Sequence, residues 1–434
     1  MINNEKGFYG LGIAPGILQI IEKIGFKTPT PIQEQSIPIA IQGNDVMGIA
    51  QTGTGKTLAF GIPLIQRLLE KKGLALIVLP TRELAIQVDE ALQTVGYSLG
   101  IKTAVLIGGE PIGKQFRSLS RNPQILIGTP GRIIDHMEQK SINLSKVTIL
   151  VLDEADRMLD MGFAPQLRRI HVGLSAERQT MFFSATMPEE IINLARAYLK
   201  LPIKVEIARS GSTAKDVTQE LFFVSQEVKP WLLEKILQDY KGSVLIFTRM
   251  KYGAKRIAAH IRAMGHTASE IHSNRSLPQR KEALEGFKRG RYRVLVATDI
   301  ASRGIDVTNI ELVINYDLPE NAEDYVHRIG RTARAGESGH AISFARPNER
   351  NDVYAIERLI RSSLPVSKLP ILSGSNTPMP PKVFEEERRP QRRFGAPSGS
   401  GSYSGGGNRF AKRPGFTGRR PKFGGGRSGP YRGR

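Results

Sequence analysis

Two short segments carry residue types that can bind a nucleotide and act on its phosphates. The first, residues 50–57, has two glycines before a Lys-Thr pair and lies between a short apolar run and a helical pattern. Glycines let backbone N–H groups turn toward phosphate oxygens at a helix N-terminus, where a lysine reaches the β- and γ-phosphates and a threonine hydroxyl binds Mg²⁺. The predicted phosphate-binding loop consists of Ala50, Gln51, Thr52, Gly53, Thr54, Gly55, Lys56 and Thr57.

The second segment is an acidic cluster that directly follows an apolar strand pattern. Residues 147–152 lead into Asp153, Glu154 and Asp156. A carboxylate at such a strand end holds the Mg²⁺ of a nucleotide, usually through water, and its neighbour can orient and deprotonate an attacking water. We therefore predict that Asp153 and Thr57 hold the metal ion. Glu154 and Lys56 are the predicted catalytic residues of these two segments. A solvated turn, with Asp156 partly capping the next helix, is the structural alternative.

These segments need a parallel sheet to position them. Short β-branched runs alternate with helical stretches, and each run ends in polar or glycine-containing residues. This pattern is typical of βαβ units, whose ligands bind beyond the carboxyl ends of the strands. Because the pattern occurs twice, we predict two similar α/β domains at 1–207 and 218–371, with a linker at 208–217 and sites that face a shared cleft.

Composition excludes several classes of protein. No apolar run approaches the roughly 18 residues that cross a bilayer, and the first six residues lack the apolar stretch of a secretory leader, so we expect a cytoplasmic protein without membrane contact. The chain has no cysteine, which excludes disulfides and thiol catalysis. At 434 residues it exceeds one ordinary core, which stops growing at about 250–300 residues.

The C-terminal end concentrates positive charge. The net charge is +21, and residues 388–434 contain 13 Lys or Arg and no acidic residue. From residue 372 onward the chain is rich in Pro, Gly, Ser and Arg and cannot bury enough apolar surface to offset its entropy. We expect 372–434 to be a disordered basic tail whose interleaved aromatic residues stack on unpaired bases of a nucleic acid. A solvated tail that aids solubility is the alternative.

Taken together, the motifs resemble those of the DEAD-box RNA helicases, a family named for the residues found here at 153–156. The resemblance extends from about Phe8 to Pro347 and implies two tandem RecA-like domains that use ATP and Mg²⁺. It implies local, non-processive unwinding or remodelling of RNA and RNA–protein complexes. An ATP-gated RNA clamp or annealing chaperone is the alternative. A near-minimal core with a short basic tail is most similar to the bacterial RhlE-type members.

Partners also follow from the resemblance. They are single-stranded or duplex-junction RNA, bound without sequence preference, together with ribosomal particles or the RNA-decay machinery, between which the sequence does not choose. The resemblance further implies a monomeric core.

Residues 25–33 resemble the Q motif of that family, in which a glutamine reads the adenine edge. The resemblance assigns this role to Gln33, beside Phe26 and Lys27, because an amide can pair with adenine N6 and N7. Either Phe26 or the isolated Phe8 would stack on the base, although core packing explains either one equally well.

Several second-domain residues are also assigned to the nucleotide. Gly304 and Asp306 would approach the ribose, and Arg331 and Arg334 would act as arginine fingers on the transferred phosphoryl group. Ala333 stands between them where glycine is commonest in the family, a change that we expect to be tolerated.

Four residues are expected to couple the nucleotide state to the RNA state. Hydroxyls of Ser184 and Thr186 would bond to Asp156 or His327 when the cleft closes. Capping of the local strand end is the alternative for each hydroxyl.

The resemblance finally assigns an RNA surface of tight turns, threonines and arginines, groups that hold phosphate and sugar oxygens without reading bases. Contacts to 2′-hydroxyls would favour RNA over DNA. Leu277 departs from the family pattern by replacing a glutamine, which puts that one contact in doubt. The assigned residues are Pro80, Thr81, Arg82, Gly108, Gly109, Thr129, Pro130, Gly131, Arg132, Arg249, Gln279, Arg280, Thr298 and Arg303.

Removing residues 388–434 should weaken the salt dependence of RNA binding. If four or five tail cations contact single-stranded RNA, the slope of log K against log salt should fall by about 3, from ~0.7 per phosphate. Titrations of labelled RNA at several salt concentrations measure this slope. An unchanged slope would contradict the role of the tail.

Overall fold

A computed structural model describes residues 7–51, 53–207, 217–299, 310–332 and 339–372. Most of the predicted linker and tail lies outside these residues. Five predicted site residues also lie outside them, namely Thr52, Arg303, Gly304, Asp306 and Arg334.

The first lobe, residues 7–207, is built on a seven-stranded sheet in the order β3-β4-β2-β5-β6-β1-β7. Every strand pair in it is parallel, as the repeated βαβ pattern predicts. Its strands are β1 (Val46–Ile49), β2 (Leu74–Val78), β3 (Thr103–Leu106), β4 (Ile125–Gly128), β5 (Val147–Leu152), β6 (Gln179–Ser184) and β7 (Ile203–Glu206).

Helices cover both faces of this sheet, and two separate apolar clusters fill the space between sheet and helices. Strands β4 and β6 are buried along their whole length, which explains their continuous apolar runs. The helices are α1 (Pro15–Lys23), α2 (Pro31–Ile41), α3 (Lys56–Glu70), α4 (Arg82–Gly96), α5 (Ile112–Leu119), α6 (Pro130–Glu138), α7 (Ala155–Asp160), α8 (Ala164–Gly173) and α9 (Glu189–Tyr198).

The second lobe, residues 217–372, repeats the plan with a six-stranded parallel sheet in the order β10-β11-β9-β12-β13-β8. Its strands are β8 (Val217–Phe223), β9 (Val244–Phe247), β10 (Ala268–Ile271), β11 (Val294–Ala297), β12 (Leu312–Asn315) and β13 (Gly339–Ala345). Its described helices are α10 (Lys229–Asp239), α11 (Lys251–Ala263), α12 (Leu277–Lys288), α13 (Ala322–Ile329) and α14 (Arg350–Ile360).

The two sheets confirm the predicted fold class. One boundary differs from the prediction, because Val217 belongs to β8 rather than to the linker. Its side chain is buried, and it pairs in register with Gly339. Across the described residues, every helix is too short or too polar to cross a bilayer.

A methyl group added at Gly48 should destabilise the first lobe. Gly48 lies on β1 opposite Phe183, and a Cβ there would overlap the buried Phe183 ring. Because well-packed cores resist added volume, Gly48→Ala should lower the free energy of unfolding by about 1–3 kcal/mol. Urea unfolding followed by circular dichroism measures the change.

Gly16→Ala is the matched control. Gly16 lies in α1 with open space where the Cβ would be, so the same methyl group should stabilise the helix by about 0.5–1 kcal/mol. Equal effects of the two substitutions would contradict this account of the packing around β1.

Candidate nucleotide and RNA sites

The phosphate-binding loop connects β1 to α3, as predicted. Gly53 and Gly55 have φ values of 89° and 88°, in the left-handed region that favours glycine, and α3 begins at Lys56. The buried Lys56 ammonium donates to the carbonyl of Ala50 at 3.0 Å and lies 3.7 Å from Asp153 Oδ1. The lysine therefore links the loop to the acidic strand end.

Gln33 connects the start of α2 to the same loop. Its side-chain oxygen accepts from the Thr30 N–H at 3.0 Å, and its amide nitrogen donates to the Gly55 carbonyl at 2.9 Å. Of the two aromatic candidates, Phe8 is buried in the apolar core, whereas Phe26 is 46% exposed. Core packing thus accounts for Phe8, and Phe26 is the ring with a free surface.

The acidic cluster is buried at the carboxyl end of β5. Glu154 has left-handed backbone angles, φ 52° and ψ 49°, and its carboxylate pairs with Arg157 Nη1 at 2.8 Å. Such a conformation is uncommon for a residue other than glycine and marks this turn as constrained. Glu154, not Asp156, is the residue that precedes α7, and its side chain makes no capping bond. Simple helix capping therefore does not explain the cluster.

Burial changes the acidity of Asp153. Loss of solvent raises the pKa of its carboxyl to about 6, the Lys56 ammonium acts in the opposite direction, and the Glu154 carboxylate adds to the rise. A carboxylate that is costly to ionise in this environment favours a nearby cation. The donor set therefore fits a hard divalent ion, although no described group of three or more acidic, His or Cys side chains forms a metal cage.

Asp156 joins the acidic cluster to the end of β6. Its Oδ2 atom accepts from the backbone N–H groups of Ala185 and Thr186, at 3.1 and 2.9 Å, and from the Thr186 hydroxyl at 3.1 Å. The hydroxyl of Ser184 instead donates to the Thr186 carbonyl at 2.7 Å. The structure therefore brings the Thr186 hydroxyl to Asp156, whereas the Ser184 hydroxyl caps its own strand end.

A small crevice separates the lobes beside this cluster, and α13 forms its second-lobe wall. It is lined by Arg157 of the first lobe and by His327, Arg328 and Arg331 of the second, together with other residues. Burial lowers the pKa of His327, with the Arg157 charge acting in the same direction and the Asp324 and Asp156 carboxylates opposing it. His327 and Arg331 therefore lie opposite Arg157, the residue after the acidic cluster, across the lobe boundary.

Arg328 and Arg157 are two buried arginines that line the same crevice and have no separately predicted role. The buried Arg328 guanidinium donates to both carboxylate oxygens of Asp299, at 2.6 and 2.7 Å, and lies over the Phe247 ring. It fastens α13 to the end of β11. Arg157 had one available signal, since it lies three residues after Glu154 on a helix, where opposite charges are neighbours.

The predicted RNA residues of the first lobe follow β2, β3 and β4. Pro80 and Thr81 are buried at the end of β2, where the Thr81 hydroxyl caps α4 by accepting from the Leu84 N–H at 3.3 Å. Arg82 lies against the turn at 108–109, where a Cβ on Gly109 would overlap its guanidinium. The first two loops are therefore in contact.

The third loop joins them through Arg132. Its guanidinium donates to the Glu110 carbonyl at 3.2 Å and to Asp135 at 3.1 Å. The Thr129 N–H donates to the Leu106 carbonyl at 3.1 Å, Pro130 begins α6, and Gly131 is exposed. The structure thus collects all the first-lobe RNA residues at one edge.

The described residues of the second lobe that are predicted to bind RNA contact other parts of the protein. Arg249 donates from its guanidinium to the Leu318 carbonyl and from its backbone N–H to Asp317, both at 3.1 Å. Gln279 accepts from the Ser276 N–H and so caps α12. Thr298 is buried at the end of β11.

Arg280 crosses the lobe boundary. It pairs with Glu83 of α4 at 2.9 Å, and both side chains are about 10% exposed. One turn earlier, Leu277 is buried within the apolar cluster of the first lobe. The departure from the family pattern therefore supplies an apolar contact between the lobes, and Arg280 has an acidic partner in addition to any contact with RNA.

Two family models match the chain. Residues 30–194 match the DEAD/DEAH box helicase family, and residues 228–336 match the helicase conserved C-terminal domain. Among curated proteins, the ATP-dependent rRNA helicase rrp-3 of Neurospora crassa is 40% identical over 88% of this chain and 75% of its own length. The DEAD-box ATP-dependent RNA helicase CshA of Geobacillus kaustophilus is 40% identical over 84% of this chain and 79% of its own length.

Solved structures agree with these relatives. Dbp5 of S. cerevisiae, bound to RNA and ADP BeF3, is 31% identical to this chain. The match spans 83% of this chain and 95% of the Dbp5 chain, with a TM-score of 0.75. The Mss116p structure with ssRNA and AMP-PNP is 26% identical, covers 82% of this chain and 78% of its own, and has the same TM-score. The assignment to the RhlE-type subgroup stays a prediction. With both domain models matched in order, over two RecA-like lobes, this chain belongs to the DEAD-box family of ATP-dependent RNA helicases.

Proposed function

We propose that the chain hydrolyses ATP between its two lobes and couples each hydrolysis to local, non-processive unwinding or remodelling of RNA. The observation that carries this proposal is the crevice at the lobe boundary, where His327 and Arg331 of the second lobe lie opposite Arg157 of the first. Arg157 directly follows Asp156, which Thr186 binds, so the crevice lies at the nucleotide end of the first lobe. Closure of the lobes then completes the ATP site and the RNA site in one motion. The proposed domains are 1–207 and 217–371, the second of which begins with β8.

On the nucleotide side, residues 50–57 would cradle the phosphates and Gln33 would select adenine. The Lys56 ammonium, already 3.7 Å from Asp153, would exchange its loop carbonyl for a phosphate oxygen. Thr57 and Asp153 would hold Mg²⁺, the latter through water. When bound, this ion neutralises charge on the phosphates, and phosphate oxygens complete its ligand set.

Hydrolysis itself would depend on two groups from opposite lobes. Glu154, held in its constrained turn and paired with Arg157, would orient and deprotonate the attacking water. Arg331 would supply positive charge from the second lobe as an arginine finger, with Arg334 as its partner. An enzyme of this design is active only when the lobes are closed.

Lobe closure would be held by contacts outside the nucleotide site as well. The Glu83–Arg280 pair and the buried Leu277 join α4 to α12, and α4 begins at the predicted RNA residue Arg82. A mostly buried ion pair beside an apolar contact favours one arrangement of the lobes over others. RNA bound along this edge would then favour the closed lobes.

The substrate would be RNA gripped by phosphate and sugar, without reading of bases. Ribosomal RNA is the substrate class that the name of the Neurospora relative supports, because that relative is an rRNA helicase by name. A monomeric core acting on ribosomal particles or on RNA-decay complexes is consistent with these contacts.

ATPase measurements with and without RNA test the proposal. Wild type should hydrolyse ATP faster with single-stranded RNA, and Lys56→Ala should lose hydrolysis because phosphate binding is lost. Glu154→Gln should keep nucleotide binding and lose at least about 100-fold in kcat, since general-base catalysis contributes roughly 10²–10⁴.

Duplex unwinding, assayed beside hydrolysis, separates unwinding from an RNA clamp. We expect the wild-type protein to separate the strands and both Lys56→Ala and Glu154→Gln to fail to do so. Hydrolysis that does not respond to RNA would contradict the coupling, and RNA-stimulated hydrolysis without strand separation would favour the clamp.

A further inference from the structure

A buried chain of hydrogen bonds lies behind the RNA edge of the first lobe. It runs from Ser141 to His136, from His136 to Gln115, and from Gln115 to the backbone carbonyl of Ile107. The three contacts measure 2.7, 3.0 and 2.8 Å. The side chains of His136 and Gln115 are 0% and 2% exposed. Buried polar groups are costly unless they are paired, so each link stabilises the others.

Chemistry determines the direction of every link in this chain. The Ile107 carbonyl can only accept, so Gln115 must present its NH₂ group there and its oxygen to His136. That oxygen can only accept, so His136 Nε2 must carry a proton. In the neutral ring Nδ1 is then an acceptor for the Ser141 hydroxyl, which shares its single proton between Nδ1 and the His136 carbonyl, the latter at 3.0 Å. Burial lowers the pKa of His136, which favours this neutral ring.

The two ends of the chain are attached to different RNA loops. Ile107 is the last residue before the turn at 108–109. His136 lies on α6, whose first turn carries the loop 129–132. The His136 ring also packs edge-on against Phe116, with ring centroids 5.4 Å apart, so its orientation is fixed by packing as well. The chain therefore connects the turn that follows β3 to the helix that follows β4.

We infer that Gln115 and His136 are positioning residues for RNA, which hold the turn at 108–109 and the loop at 129–132 at the spacing required by one sugar-phosphate backbone. Neither side chain reaches the surface, so neither touches RNA. A loop that is held before binding loses less entropy when it binds, and affinity rises accordingly. This inference rests on the proposed function, because it takes the two loops to be the RNA contacts.

Gln115→Met is the decisive variant, because methionine has a similar length and no hydrogen-bonding amide. It should raise the RNA concentration at half-maximal ATPase by about tenfold, as expected when one buried hydrogen bond is lost. The kcat at saturating RNA and the KM for ATP should stay at wild-type values, since the nucleotide site is untouched. Gln93→Met, on the exposed face of α4, is the matched control and should change none of these quantities.

His136→Phe tests whether the residues act as one unit, because it keeps the ring contact with Phe116 and removes both nitrogens. The double variant with Gln115→Met should cost the same tenfold as Gln115→Met alone, since one broken link releases the loop. Ser141→Ala removes only the outermost donor and should raise the half-maximal RNA concentration about threefold. If the variants of the buried residues Gln115 and His136 fail to fold, Ser141→Ala still tests the positioning role.

The outcomes separate this inference from the proposed function. If Gln115→Met folds, as shown by its circular dichroism melt, and keeps the wild-type RNA requirement, the positioning role is refuted while RNA coupling stands. A loss of kcat without a change in RNA requirement also refutes it. If the wild-type ATPase does not respond to RNA at all, both the inference and the proposed function fail.

Discussion

The structure depends most on the carboxylate of Asp156. One of its oxygens accepts three hydrogen bonds from Ala185 and Thr186, which ties the turn after β5 to the turn after β6. Three donors on one buried oxygen hold it in a single position, and charge-assisted bonds are among the stronger ones in proteins. His327 of the second lobe lies in the crevice beside this turn, opposite Arg157 of the first lobe, so the turn forms part of the contact between the lobes.

Around Asp156, two neighbouring sets of predicted site residues lie along one edge of the first-lobe sheet. The nucleotide residues follow β1, β5 and β6 in the middle of the sheet, and the predicted RNA residues follow β2, β3 and β4 beside them. Parallel strands place all their carboxyl ends on one side, so a single rigid sheet carries both sites. The second lobe faces this edge with Arg331 and Arg280, so the proposed closure of the lobes would affect both sites together.

Much of this arrangement is predictable from the sequence, and the reasons are physical. Apolar runs that end in glycine or acidic residues predict β1, β2, β4, β5 and β6, because buried parallel strands need continuous apolar sequence. Strand β7 escapes prediction because it is an edge strand with three exposed residues of four.

Contacts that join distant segments are equally hidden in the sequence. The Glu83–Arg280 pair spans the two lobes, and the Gln115–His136 bond links two helices of the first. No periodic pattern in the sequence indicates either of these two contacts. The sequence did mark Leu277 as a departure from the family pattern, but only packing against the first lobe shows what the leucine does.

The measurement that tests the central claim most directly is the number of RNA strands separated per ATP hydrolysed, compared between Thr186→Val and Ser184→Ala. Valine removes one of the three bonds to Asp156 and keeps the side-chain shape, whereas the Ser184 hydroxyl bonds only within its own turn among the contacts described. Thr186→Val should lower the ratio about tenfold or more while RNA-stimulated hydrolysis continues, because one charge-assisted bond contributes about 1.5–3 kcal/mol. Ser184→Ala should change the ratio less. A wild-type ratio in Thr186→Val would contradict the claim that Asp156 couples the lobes.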